Sequence, residues 1–285
     1  MAAFDDIWYR SSDGLQLYSR DYRCRDSAGG ARPAVLCMHG LSRNSADFAA
    51  LAEHLCAGYR VLCVDQRGRG RSDYDRQVSN YALPTYVRDM FTLLDLLAID
   101  RVILVGTSMG GLMAFAMAAA QPGRVRAMVI NDIGPRIPAA GLQRVATYVG
   151  QVVTFDSIEK MEKFLRTIAA TFGNLSDEQW RHMTIHGTRQ LEDGRYTFAY
   201  DPGIAKNFRT LDLKDIDLWS MWDAIHCPTL VLRGEHSDVL DHADAVTMTE
   251  RGPKAKLIEF PGMGHAPALM ADDQIAVVRN WLLAD

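Results

Sequence analysis

The chain has 285 residues, 48% of them hydrophobic and 23% charged, with a net charge of −4. This length holds one large core, or a core with a small accessory domain, and no basic run is present to neutralise phosphates, which argues against nucleic acid as a partner. No apolar stretch reaches the roughly 18 residues of a membrane span, the start Met-Ala-Ala-Phe-Asp-Asp lacks the basic and apolar regions of a secretory signal, and the five cysteines form no Cys-x-x-Cys pair. A cytoplasmic monomer or homodimer acting on a small molecule, with no membrane partner, is expected.

In chain order, residues 6–10 and 15–22 predict a β-hairpin across Ser-Asp-Gly14, with polar and apolar residues partly alternating. A strand at Ala34–Met38 precedes a helix over 45–56, and a strand over 60–64 leads into a glycine-rich tract. A helix over 85–97 follows Pro84, with Val87, Met90, Leu94 and Leu97 on one face. Strand 102–105, helix 112–120 and strand 126–130 come next. Near-continuous apolar strands separated by helices indicate a mostly parallel, doubly wound α/β sheet covered on both faces. The alternation stops after Asn131-Asp-Ile-Gly-Pro135. Residues 136–224 read as helices (139–151, 157–170 and 176–187) and loops, and strands resume around 228–234 and 255–260.

The chemistry is concentrated where strands end. In Val102-Ile-Leu-Val-Gly-Thr-Ser108-Met-Gly-Gly111 an apolar strand stops at Gly106, a serine stands at the apex, and a helix-forming run follows. A nucleophile at so sharp a turn needs glycines two residues before and after it, because side chains there would strike the neighbouring strand and helix. At the helix N-terminus, unpaired N–H groups favour developing negative charge. A serine hydroxyl needs a base, and the base an orienting acid. His265 lies in Phe260-Pro-Gly-Met-Gly-His265, a glycine-rich loop leaving a late strand, and Asp238 follows the strand that ends at Gly234. The order Ser108, Asp238, His265 puts each group just past the C-terminal end of a strand, the edge at which open α/β sheets bind ligands.

With these features the chain resembles the α/β-hydrolase superfamily, from about residue 7 to its end. Val35-Leu-Cys-Met-His39-Gly40-Leu41 is similar to the family's oxyanion-hole strand and loop. Asp65-Gln-Arg67-Gly68-Arg-Gly70-Arg-Ser72 is similar to its Asp-x-Arg-Gly-x-Gly-x-Ser tract. The resemblance implies a sheet of about eight strands, with a core made of residues 1–134 and 225–285. A helical lid spanning 135–224 would be inserted in that core and cover Ser108. It also implies that His39 braces the oxyanion loop and that the backbone N–H groups of Leu41 and Met109 form the oxyanion hole. In the family the acid usually lies three residues after the strand-ending glycine, whereas Asp238 lies four after Gly234. Asp241 and Glu235 therefore stay open as acids, and Asp132 is an alternative because some relatives carry the acid after the preceding strand.

The expected function is hydrolysis of a carboxylic ester or lactone through an acyl-enzyme, with no metal or organic cofactor. A serine at 108 excludes the family's epoxide hydrolases and haloalkane dehalogenases, which need an aspartate there. Two alternatives use the same scaffold: a cofactor-free carbon–carbon bond hydrolase acting on a ring-fission product, and a ligand receptor. Arg67-Gly-Arg-Gly-Arg71 lacks the pattern of a phosphate cradle. It reads instead as a tight turn, with Arg67 paired internally and Arg69 and Arg71 solvated. His182 and His186 fall four apart on a predicted helix, a spacing that can bind metal, but no third ligand is near them in sequence. The lid is rich in aromatics, among them Tyr148, Phe172, Trp180, Phe208, Trp219 and Trp222. Trp219 and Trp222 are taken to face an apolar acyl or alcohol group, and Arg136, past the hinge, to pair with a substrate carboxylate.

Overall fold

Strands buried on both faces need an apolar side chain at every position, and the apolar runs of this chain all enter one sheet. The computed structural model describes residues 3–24, 32–206 and 214–284. β1 (Asp5–Arg10) and β2 (Gln16–Tyr22) form the antiparallel hairpin, and β3 (Ala34–Met38) follows. Next come α1 (Ala49–Leu55), β4 (Val61–Asp65), α2 (Leu83–Leu96), β5 (Val102–Thr107), α3 (Met109–Ala120) and β6 (Val125–Asn131). The stretch that follows supplies β7 (Arg136–Ile137), α4 (Ala139–Tyr148), α5 (Ile158–Ile168) and α6 (Asp177–His186). It continues with β8 (Thr188–Gln190), β9 (Tyr196–Phe198), β10 (Ile216–Asp217) and α7 (Trp219–Asp223). The chain ends in β11 (Thr229–Gly234), α8 (His242–Glu250), β12 (Lys256–Phe260) and α9 (Asp272–Leu283).

The eight-stranded sheet has the order β1-β2-β4-β3-β5-β6-β11-β12. From β4 to β12 every neighbouring pair is parallel, and β2 joins β4 antiparallel. Side chains alternate between two cores. Leu36, Leu62, Leu104 and Met128 meet α2 and α3 through Leu94, Met113 and Met117. Cys37, Cys63, Val105 and Val129 face the opposite way, with Leu51 and Leu55 of α1 and Val278 of α9. The winding reverses at β3, which lies between β4 and β5. The crevice at that reversal is bounded by the loops after β3 and β5, which carry Leu41 and Ser108.

Local signals account for several boundaries. The helix expected over 45–56 is a 3-10 turn, Ser45–Phe48, followed by α1, and the Asn44 side chain caps the turn by accepting from Ala46 N–H. α4 stops at Tyr148, short of 151, and Gly150 then takes a φ of +76°. α6 starts at a capping box in which the side chains of Ser176 and Gln179 satisfy each other's backbone N–H. The hairpin β8–β9 and the helix α9 were not legible as elements. Between β6 and β11 the rings of Phe155, Phe164, Phe198 and Tyr200 pack in series, with centroids 5.3, 6.2 and 5.5 Å apart. Phe208 lies outside the described residues. Among the described residues no helix is long and apolar enough to cross a membrane.

The tract after β4 ties the loops together. Arg67, fully buried, donates to Asp89 at 2.7 and 2.8 Å, to Asp75 at 2.5 Å and to Asp13 at 3.0 and 3.1 Å. The guanidinium beside Asp13 holds that carboxyl well below the usual carboxylate range. Arg69, expected in solvent, is instead completely buried. Arg71 remains half-exposed and lies over the rings of Trp8 and Tyr18. Removing Arg67 leaves Asp89 and Asp75 buried without their cation, so Arg67→Ala is expected to lower the unfolding free energy by about 3–5 kcal/mol. Urea denaturation checks this, and a loss below about 1 kcal/mol would mean the cluster does not stabilise the fold.

Candidate active site

The turn at Ser108 is built as its glycines require. Ser108 has a φ of +53°, outside the regions a side chain normally allows. A Cβ on Gly106 would stand 2.3 Å from Gly110 O, and one on Gly110 would stand 1.9 Å from Met38 O. The strained turn is held by Ser108 N–H, which donates to Asn131 O at 2.9 Å, and by Gly111 N–H and Leu112 N–H, which return to Ser108 O. The side chain is thereby lifted off the sheet at the N-terminus of α3.

His265 reaches it from the loop after β12. Its Nε2 lies 2.9 Å from Ser108 Oγ and its Nδ1 lies 2.9 Å from Asp132 Oδ2. A carboxylate can only accept, so the imidazole carries its proton on Nδ1 and leaves Nε2 to accept from the serine hydroxyl. The loop is tied on both sides of this ring. Thr171 Oγ1 donates to His265 O at 2.9 Å, and Asn131 Nδ2 donates to Pro267 O at 2.8 Å.

The acid in this chain of hydrogen bonds is Asp132, not Asp238. Asp132 follows β6 with a φ of +58° and is completely buried. Its carboxylate is satisfied three times: Oδ1 accepts Gly234 N–H at 2.9 Å, and Oδ2 accepts Ser237 Oγ–H at 2.8 Å as well as His265. A buried carboxylate is tolerable when so fully bonded. Asp238 lies on the rim, its side chain 41% exposed, where Arg144 of α4 binds it through Nε and, at 2.8 Å, through Nη2. The displacement has a local cause. Ser237, three residues after Gly234, occupies the place where the acid was expected, and its hydroxyl is turned to Asp132 while accepting from Leu240 N–H at 3.1 Å. Of the other acids weighed, Asp241 caps α8 and Glu235 accepts from Gly262 N–H.

His39 is no rival base. Its Nδ1 donates to Gly40 O at 2.7 Å and its Nε2 accepts from Gln66 N–H at 3.1 Å. Burial pushes this imidazole down to about 3, so it is neutral and braces the loop after β3. The rings of His182 and His186 meet at a tilt with centroids 4.5 Å apart, and His182 Nε2 bonds Ala46 O at 2.9 Å, which leaves the pair linking α6 to that same loop.

Two cavities meet at Ser108, and Leu41, Val145 and His265 line both of them. One, about 1020 Å³ with its open mouth, runs under α5 and α6 and is lined by Tyr148, Leu165, Phe172 and Phe198, with Arg43 and Asp47 at one wall. Arg43 is engaged there by Asp47, at 2.6 and 2.8 Å. The other, about 780 Å³ with its open mouth, runs between α2 and α4 past Met109, Leu112, Ile133, Ile137 and Leu142. Leu41 and Met109 thus flank the serine, and Met109 is the first residue of α3, where N–H groups lack helical partners. The other three expected substrate contacts lie elsewhere. Arg136 is taken up by Asp244 at 2.8 Å and Asp215 at 3.2 Å. Trp222 is completely buried against Phe115 and donates to Arg251 O, because its position on α7 faces the core. Trp219 stacks under the Arg251 guanidinium at 4.5 Å. None of the three lines either cavity.

This sheet order, with a serine turn after β5 and a histidine after the last strand, is the architecture of the alpha/beta hydrolase fold. The model of that family matches residues 33–271, and the chain belongs to it. Similar proteins include a 3-hydroxybutyrate-oligomer hydrolase of Cupriavidus necator, 38% identical over 88% of this chain and 89% of that protein. A 2-(acetamidomethylene)succinate hydrolase of Mesorhizobium japonicum is 29% identical over 83% of this chain and 82% of that one. A crystal structure of an alpha/beta hydrolase from Novosphingobium aromaticivorans superposes with a TM-score of 0.90 at 37% identity, covering all of both chains.

The two aspartates are separable by substitution. Asp132→Asn removes the acceptor that fixes the imidazole tautomer and is expected to lower kcat by about 10⁴-fold. Asp238→Asn, which breaks only a rim ion pair, should stay within a few-fold of wild type. The reverse ranking of the two kcat values would return the acid to Asp238.

Proposed function

We propose that this chain is a serine hydrolase of carboxylic esters, and that its substrate is a short oligoester of the 3-hydroxybutyrate kind. The observation that carries the reading is the hydrogen-bonded series Ser108–His265–Asp132 at the junction of two largely apolar cavities. An oligoester has apolar groups on both sides of each scissile carbonyl, so it needs space on both sides of the nucleophile. The 38% identity to a hydrolase of 3-hydroxybutyrate oligomers supports the same class.

In the proposed reaction Ser108 Oγ attacks the ester carbonyl carbon as its proton passes to His265 Nε2, and Asp132 stabilises the imidazolium. The carbonyl oxygen becomes an oxyanion, received by the N–H groups of Leu41 and Met109, each such donor being worth about 3 kcal/mol of barrier. The tetrahedral species collapses, the C–O bond breaks, and His265 gives the proton to the departing alkoxide. Water, deprotonated by His265, then attacks the acyl-enzyme and releases the acid and Ser108. The segment between β6 and β11 acts as a lid that supplies part of the wall of both cavities and keeps bulk water from the acyl-enzyme. These steps need only the chain's own residues.

The test is turnover of 3-hydroxybutyrate dimer, trimer and tetramer beside p-nitrophenyl esters of graded chain length, with wild type and Ser108→Ala. Release of 3-hydroxybutyrate that falls about 10⁴-fold or more in Ser108→Ala is expected. Cleavage of a ring-fission dienoate with only trace ester turnover would replace this reading with carbon–carbon hydrolysis. Tight ligand binding without multiple turnover would replace it with a receptor.

A further inference from the structure

The buried arginine behind the nucleophile is not used by the reaction as described so far. Arg69 is completely buried, yet among the described residues no carboxylate forms an ion pair with it. Its neighbour in the tract, Arg67, meets three carboxylates. The Arg69 guanidinium instead donates through Nε to Leu41 O at 2.8 Å, and through Nη1 to Arg67 O and to Tyr86 Oη, both at 2.8 Å. Its Nη2 lies 3.7 Å from Met109 Sδ. The rings of Tyr86 and Tyr81 stand 5.1 and 5.6 Å from its central carbon and shelter the charge from water.

A buried cation with neutral partners is costly to fold around, so its place needs a reason. Of the residues it touches, Leu41 and Met109 line the cavity beside Ser108, one in the loop after β3 and the other at the first position of α3. They are also the residues whose N–H groups receive the oxyanion in the reading above, on which this inference rests. We propose that Arg69 is the positioning residue of the oxyanion site. It fixes the Leu41 loop through its Nε–H and sets an unpaired positive charge behind the donors, where it is balanced only when the tetrahedral oxyanion forms. A charge in surroundings of low dielectric acts over a longer distance than in water. Because this one is already in place, no reorganisation is needed as negative charge develops.

The effect would fall on the transition state and not on substrate binding, and that separates it from a merely structural role. The experiment measures kcat, KM and the inhibition constant of a trifluoromethyl ketone, which adds to Ser108 as a hemiketal oxyanion, for wild type, Arg69→Gln and Arg69→Lys. Circular dichroism and thermal melting establish that each variant is folded. For Arg69→Gln we expect kcat to fall about 100-fold, KM to stay within about threefold, and ketone affinity to fall in parallel with kcat. Unchanged ketone affinity in folded Arg69→Gln overturns the assignment, whatever happens to kcat. Should Arg69→Gln fail to fold, Arg69→Lys decides. It keeps the charge but cannot reproduce the fork, so kcat and ketone affinity should fall together, and wild-type ketone affinity overturns the assignment. Wild-type turnover that survives Ser108→Ala would bring down the serine-hydrolase reading and this inference with it. Turnover abolished in Ser108→Ala, with ketone affinity intact in the Arg69 variants, would bring down the inference alone.

Discussion

One hydrogen bond, from His265 Nδ1 to Asp132 Oδ2, organises the C-terminal edge of the sheet. It joins the loop after β12 to the loop after β6, and the other face of the same imidazole joins both to the turn after β5. The carboxylate can be buried because Gly234 N–H and Ser237 Oγ–H also reach it, which brings in the loop after β11. Four consecutive strands of the sheet, β5, β6, β11 and β12, therefore end on one set of bonded atoms. Asn131 reinforces the arrangement from β6 by donating to Thr107 at the end of β5 and to Pro267 beside the histidine.

Electrostatics divides this edge into two kinds of buried charge. Arg67 and its carboxylates compensate each other within the fold and hold loops together. Arg69, two residues on, has its charge sheltered by tyrosine rings and peptide carbonyls. The alternation follows from the glycine-rich tract: Gly68 and Gly70 both take positive φ, and the intervening arginine turns toward the crevice while Arg67 turns away from it. His39 is the neutral counterpart. Its burial keeps it uncharged, so it braces the loop before Leu41 without adding a field of its own.

The serine turn and the histidine were legible in the sequence because their geometry is written in adjacent residues: a strand, glycines at fixed spacing, and a helix or loop. The parallel strands themselves were legible for a related reason, since strands buried on both faces cannot tolerate polar positions. The acid was not, because which carboxylate meets the imidazole depends on how three loops from distant parts of the chain converge. Two signals in the sequence bear on Asp132: it follows the strand after which some relatives carry the acid, and Ser237 holds the position three residues after Gly234 where the acid is usual. Arg136 and the two tryptophans were misplaced because composition does not say which way a side chain faces. The carboxylates that occupy Arg136, Asp215 and Asp244, lie far along the chain. Arg69 was assigned to solvent because a charged residue in a loop is usually exposed, and only tertiary packing buries it.

The central claim is that Asp132 holds the proton of His265 Nδ1, and proton NMR of that site tests it most directly. The account predicts a strongly downfield Nδ1–H resonance in wild type that persists in Asp238→Asn and disappears in Asp132→Asn. A resonance that survives Asp132→Asn and is lost in Asp238→Asn would contradict it.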